Sequence, residues 1–154
     1  MIRILAISSA AWDDRNSVGN TNSNLLGGMP NIEIYHIYSR EALPFNHCCT
    51  EYYTITVGDI VRHFFCPWKI GRRFSQKCGD VPGDSESAIE KANESIQGWK
   101  RNVALFVLDC VYNTKIWLNS KTKAFVKEAN PDVVFCFAIA DAYRYQILKY
   151  IKKY

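Results

Sequence analysis

Two apolar segments near the start of the chain constrain the fold more than anything else in it. Ile2-Arg3-Ile4-Leu5-Ala6-Ile7 is short, rich in β-branched residues and does not alternate, as expected of a strand covered on both faces. Ile32-Glu33-Ile34-Tyr35-His36-Ile37-Tyr38 alternates and reads as a second strand. Between them lie a glycine-bearing loop and a short helical pattern from about Thr21 to Leu26, stopped by Gly27-Gly28 and Pro30. Strand, turn, helix and strand make a βαβ unit, which requires parallel strands and a sheet covered by helices.

The chain closes on a second unit, "PDVVFCFAIADAYRYQILKYIKKY", in which an apolar strand breaks at Asp141 and a helix follows with Tyr143, Ile147, Leu148 and Ile151. The expected fold is therefore α/β: a Rossmann-like, three-layer domain with a mainly parallel sheet, spanning residues 1–154. A doubly wound sheet usually continues past such a helix into another strand, so the domain is expected to be incomplete and part of a longer, two-domain protein. In the middle, helices are expected over Thr56 to Phe65, Glu86 to Gln97, residues 99 to 113 and Lys115 to Ala129.

Composition narrows the functional classes. At 154 residues, with 48% hydrophobic and 14% aromatic side chains, the chain can bury a core, and disorder is not expected. A net charge of +4 argues for nucleic acid only if it is concentrated on one face. The six cysteines (Cys48, Cys49, Cys66, Cys78, Cys110 and Cys136) form no CxxC pair and no zinc-ligand spacing. Reduced thiols in a cytosolic protein without a metal are the expectation. No apolar run has the length of a membrane helix, and residues 2 to 12 make a poor signal peptide.

Open parallel sheets bind ligands beyond the carboxyl ends of their strands. Two such places are legible, residues 8 to 21 and 138 to 144. In the first, Gly19 lets backbone approach a ligand, and Asn20, Thr21 and Asn22 sit near a helix start suited to phosphate. Asp13 and Asp14 offer acceptors to sugar hydroxyls, and Trp12 a flat apolar face. Packing of Trp12 on the sheet and capping of a turn by Asp14 and Asn16 are the plainer alternatives. In the second place, Asp141 is either ligand-facing or the N-cap of the last helix, and Tyr143 and Arg144 follow one turn on. A third feature, "RHFFCPWKIGRRFSQK", interleaves Arg62, Lys69, Arg72, Arg73 and Lys77 with Phe64, Phe65, Trp68 and Phe74 and holds no acid. That mixture suits an anionic membrane surface or a phosphate-bearing acceptor better than nucleic acid.

Taken together, "RILAIS", "AWDDRNSVGNTNSNLL", "EYYTITVGDIVRHFF" and "VKEANPDVVFCFAIADAYRYQILKYIKK" resemble the amino-terminal domain of bacterial glycosyltransferases of the two-domain GT-B fold, family 4-like or group 1. The resemblance runs over most of the chain and rests on no single diagnostic motif. It implies a domain that recognises a sugar acceptor, with Gly19, Asn20 and Thr21 bordering the cleft near the donor phosphates. A nucleotide sugar would serve as co-substrate, held chiefly by a carboxyl-terminal domain that this chain lacks, and no further cofactor is implied. The expected place is the cytoplasm, at the inner face of the cell membrane. No catalytic residue is assigned, because the family's carboxylate pair belongs to the missing half, and the chain alone is expected to be inactive. A flavodoxin-like FMN protein is the main rival, since Ser17-Val18-Gly19-Asn20-Thr21 resembles its phosphate loop. A non-enzymatic α/β binding module is the third reading.

Overall fold

A computed structural model of the chain describes residues 1–40, 43–75, 106, 109–136 and 142–153. Strand β1 (Ile2–Ser8) leads through a loop to helix α1 (Ser17–Gly27), and β2 (Ile32–Tyr38) follows. Next come β3 (Glu51–Thr54), the short helix α2 (Val57–Arg62), a 3-10 turn (Pro67–Lys69) and β4 (Arg72–Phe74). Helix α3 (Ser120–Ala129), β5 (Val133–Cys136) and α4 (Ala142–Ile151) complete the described elements. The sheet order is β4-β3-β2-β1-β5. β3, β2, β1 and β5 are parallel and β4 is antiparallel to β3.

The βαβ unit forms as its periodicity requires. Along β1, Leu5 and Ile7 join one core with Tyr35, Ile37 and Tyr53, while Ile4 and Ala6 join another with Ile34, Tyr38 and Tyr52. The first core is closed by Ile60 of α2, Phe125 and Ala129 of α3, and Ile147 of α4, together with Tyr112 and Trp117. The second is closed by Leu26 of α1 and by Trp12. Helices therefore cover both faces of the sheet, giving the three layers expected of a mainly parallel α/β domain.

Several boundaries differ from the sequence reading. Helix α1 begins at Ser17 rather than near Thr21, because Asn16 caps it by accepting from the Gly19 amide at 2.7 Å. Helix α2 ends at Arg62 and starts on the Thr56 cap, whose hydroxyl accepts from Asp59 N. The helix expected from Lys115 begins at Ser120, since Asn119 accepts from the Thr122 amide while Lys115 sits at φ 57°. β3 and β4 were not expected. They have four and three residues, too few for alternation to register. Of the helix expected over 99 to 113, residues 106 and 109–113 are helical; Trp99 and Val103 lie outside the described residues. The helix expected from Glu86 to Gln97, Lys77, Cys78, the continuation of β5 past Cys136, and Asp141 also lie outside them.

Candidate ligand cleft at the end of the first strand

β1 pairs with β2 on one side and with β5 on the other, through Ile7 opposite Cys136. After β1 the chain passes to the face carrying α1, and after β5 to the face carrying α4. Neighbouring strands whose following helices diverge to opposite faces leave a crevice between their carboxyl ends. A cavity of about 280 Å³ lies beyond the end of β1, lined by Ser8, Ser9, Ala10, Ala11, Trp12, Asn16, Val18, Gly19, Asn22 and Arg144.

The loop that walls this cavity is braced from outside. Ser9 O accepts from the amides of Ser39 and Arg40 at 3.2 and 2.9 Å. Farther on, Asp14 N donates to Phe45 O at 2.7 Å and Phe45 N to Trp12 O at 3.0 Å, while Asn46 Nδ2 also reaches Trp12 O. The adjacent acids take part in the bracing. Both Asp13 oxygens accept from the Arg15 guanidinium, at 2.9 and 2.8 Å, and that guanidinium lies 4.9 Å from the centre of the Phe45 ring. The arginine bond holds the Asp13 carboxyl below its ordinary pKa. Asp14 Oδ2 pairs with His47 Nδ1 at 2.8 Å. Neither acid lines the cavity.

Trp12 is buried, with its ring centre 4.9 Å from that of His36 and 6.2 Å from that of Phe135. It therefore packs over the sheet and presents an edge of the cavity wall rather than an open face for a sugar. His36 sits fully buried in β2, opposite Ala6, with its Nε2 2.7 Å from Ser8 Oγ. The Ser8 hydroxyl donates to Ala10 O, so it accepts from His36 Nε2–H, leaving Nδ1 as the bare nitrogen. Burial pushes the imidazole pKa down to about 3, and the ring is neutral at physiological pH.

Gly19 is set by contact with the loop. A Cβ there would come within 2.2 Å of Asp13 O, so the helix can lie against the loop only without a side chain. Asn20 and Thr21 are exposed on α1: Asn20 Oδ1 accepts from Asn24, and the Thr21 hydroxyl donates to Ser17 O. Gly19 and Trp12 thus meet at the cavity, and Asp13, Asp14, Asn20 and Thr21 do not. Tyr143 lies on α4, its side chain outside the described set; Arg144, one residue on, is buried and reaches the cavity wall.

One further wall residue, Asn22, entered the sequence reading only as a neighbour of the helix start. Asn22, 2% exposed, shares the buried face of α1 with Gly19, Ser23 and Leu26. Its Nδ2, like Trp12 Nε1, is a buried donor with no acceptor among the described residues. The burial of Asn22 was signalled by its helical spacing, four positions before Leu26. The cleft side of the loop therefore combines a buried guanidinium, two buried unsatisfied donors and the first turn of α1, where the amides of Ser17 and Val18 have no intrahelical acceptor. Among the described residues no carboxylate lines the cavity, and no three His, Cys, Asp or Glu side chains converge as a metal site. No protein-family model, curated protein or solved structure significantly matches the chain.

Proposed function

We propose that the chain is the acceptor-side, amino-terminal part of a GT-B glycosyltransferase that moves a sugar from a nucleotide donor to a polysaccharide or lipid-linked acceptor. The observation that carries this reading is the cavity beyond the end of β1, walled by Arg144, Trp12 and Asn22 and, among the described residues, lined by no carboxylate. Such a wall suits an oxygen-rich anionic ligand, a sugar phosphate above all, and its described residues supply no general acid or base. A domain that holds ligand while a second domain brings the catalytic carboxylates fits that division. Nucleotide sugar is then a co-substrate, and the reaction belongs in the cytoplasm.

Strand order favours this over the FMN-binding rival. β3 lies outside β2, as in the 3-2-1 half of a Rossmann sheet, whereas a flavodoxin sheet runs 2-1-3, with its third strand across the first. The segment Ser17 to Thr21 is also helical here, so it cannot wrap a phosphate as a loop.

Titration of the isotopically labelled chain with nucleotide sugars, isoprenoid sugar phosphates and FMN tests the reading. Sugar phosphates should shift the Trp12 indole N–H and the Asn22 side-chain amide, and Asn22→Leu or Arg144→Met should weaken binding about tenfold or more. Saturable FMN binding with quenched flavin fluorescence would replace the proposal with its rival. Absence of any shift at Trp12 and Asn22 would remove it.

A further inference from the structure

The chain between β3 and β4 leaves and re-enters the sheet at one end. Thr54, the last residue of β3, pairs with Arg72, the first of β4, so residues 55–71 form an excursion beyond the carboxyl end of β3. β1, β2 and β3 are parallel, and the excursion therefore stands at the same end of the sheet as the cleft. Two strand spacings, roughly 10 Å, separate β3 from β1.

This excursion is firmly held. Ile70 is fully buried in the core, and Asn119 Nδ2 donates to Pro67 O at 2.6 Å and to Ile70 O at 2.9 Å. Gly71 turns the chain into β4 at φ 87°, in a place where a Cβ would overlap the Tyr53 hydroxyl. At the other end, Asp59 Oδ2 accepts from Arg72 Nε at 3.2 Å. Yet the braced segment holds Phe65 out at 90% exposure, Val61 at 62%, Trp68 at 60% and Phe64 at 46%. Slack does not account for that display, because the backbone beneath the aromatics is tied to α3 and to the core.

Charge around the display is one-sided. Asp59 is the sole acid between residues 57 and 75, and it is buried and bonded to Arg72. Arg73 is engaged elsewhere, between Glu51 at 3.0 Å and Glu128 at 2.6 Å, which removes it from the basic patch read in the sequence. Arg62 and Lys69 remain exposed, with no acidic partner among the described residues.

We infer that residues 61–69 form a docking edge for an anionic bilayer, with Phe65 and Trp68 entering the boundary between headgroups and acyl chains and Arg62 and Lys69 set against lipid phosphates. Protruding aromatics take up apolar contact there while the Trp68 N–H stays at headgroup depth. Unpaired cations beside them match a negative surface; they would be costly at the centre of a protein interface, where charge is depleted. The docking edge stands independently of what the cleft binds.

Sedimentation of the chain with vesicles of phosphatidylcholine alone, and of phosphatidylcholine enriched in phosphatidylglycerol, tests this. The chain should pellet with the anionic vesicles alone and be released by raised salt. Joint Phe65→Ser and Trp68→Ser substitution should lower binding roughly tenfold or more, and Arg62→Ala or Lys69→Ala about fivefold each. These side chains are exposed, and unchanged circular dichroism would confirm that the variants fold. A blue shift of tryptophan emission on binding should vanish in Trp68→Phe while that variant still pellets. No binding to anionic vesicles, or equal binding by the double serine variant, would overturn the inference. Self-association without lipid, abolished by Phe65→Ser, would overturn it in favour of a second copy of the chain.

Discussion

His36 shows how far burial can alter one side chain. The folded ring takes up a proton only near pH 3, whereas the unfolded chain does so near 6.5. Between those values the unfolded state binds more protons, so His36 supports the fold fully above about pH 6.5. That support falls by up to about 1.4 kcal/mol per pH unit as the pH drops towards 3. Urea unfolding followed across that range should show a steep acid limb, flattened in His36→Phe. Nitrogen shifts of the histidine ring should also report the Nε2–H tautomer, since the Ser8 proton is committed to Ala10 O. Gly19 is a second residue whose role is steric: Gly19→Ala drives a methyl into the Asp13 backbone and should cost about 1–3 kcal/mol in the same unfolding assay. The acidic pair shows what one sequence conceals at this scale. Asp13 and Asp14 looked available for sugar hydroxyls, but one partner is Arg15, two positions away, and the other is His47, thirty-three positions on. The second pairing arises from the fold and leaves no local trace.

At the scale of elements, caps decide where the helices begin. Asn119 caps α3 and, with the same side chain, ties the Pro67–Ile70 turn to that helix. Asn119→Ala therefore removes a cap and two tertiary hydrogen bonds and should destabilise the fold by about 2–3 kcal/mol, read from the urea midpoint. Asn16→Ala removes the cap of α1 alone and should cost about 1 kcal/mol. Periodicity located both helices, but the caps, single asparagines among several, set starts that the apolar pattern did not reveal. β1 and β2 were legible because seven residues each carry a covered-strand pattern. β3 was hidden because Glu51–Thr54 merges with Ile55 and the helix start after it, and β4 because Arg72 and Arg73 lie on it. Its strand character comes from pairing with β3.

For the whole molecule, the βαβ reading predicted a parallel sheet with helices on both faces, and the sheet is of that kind, apart from its antiparallel edge. The cleft was located in outline, at the end of β1 and beside the last helix, because topology alone places it there. Its wall was only partly legible: Trp12, Gly19, Asn22 and Arg144 stood in the sequence reading, while the burial of Asn22 and the His36–Ser8 pair depend on which faces pack together. That antiparallel edge carries one more consequence. A sheet whose inner strands are as rich in tyrosine and isoleucine as β2 and β3 would readily take a strand from another molecule at an open side. β4 has three residues, two of them arginines, and Arg73 folds back onto Glu51 and Glu128. Among the described strands it acts as an end-stop, too short and too charged to template further growth. Replacing both arginines by valine should make concentrated solutions of the chain prone to fibres, scored by thioflavin fluorescence.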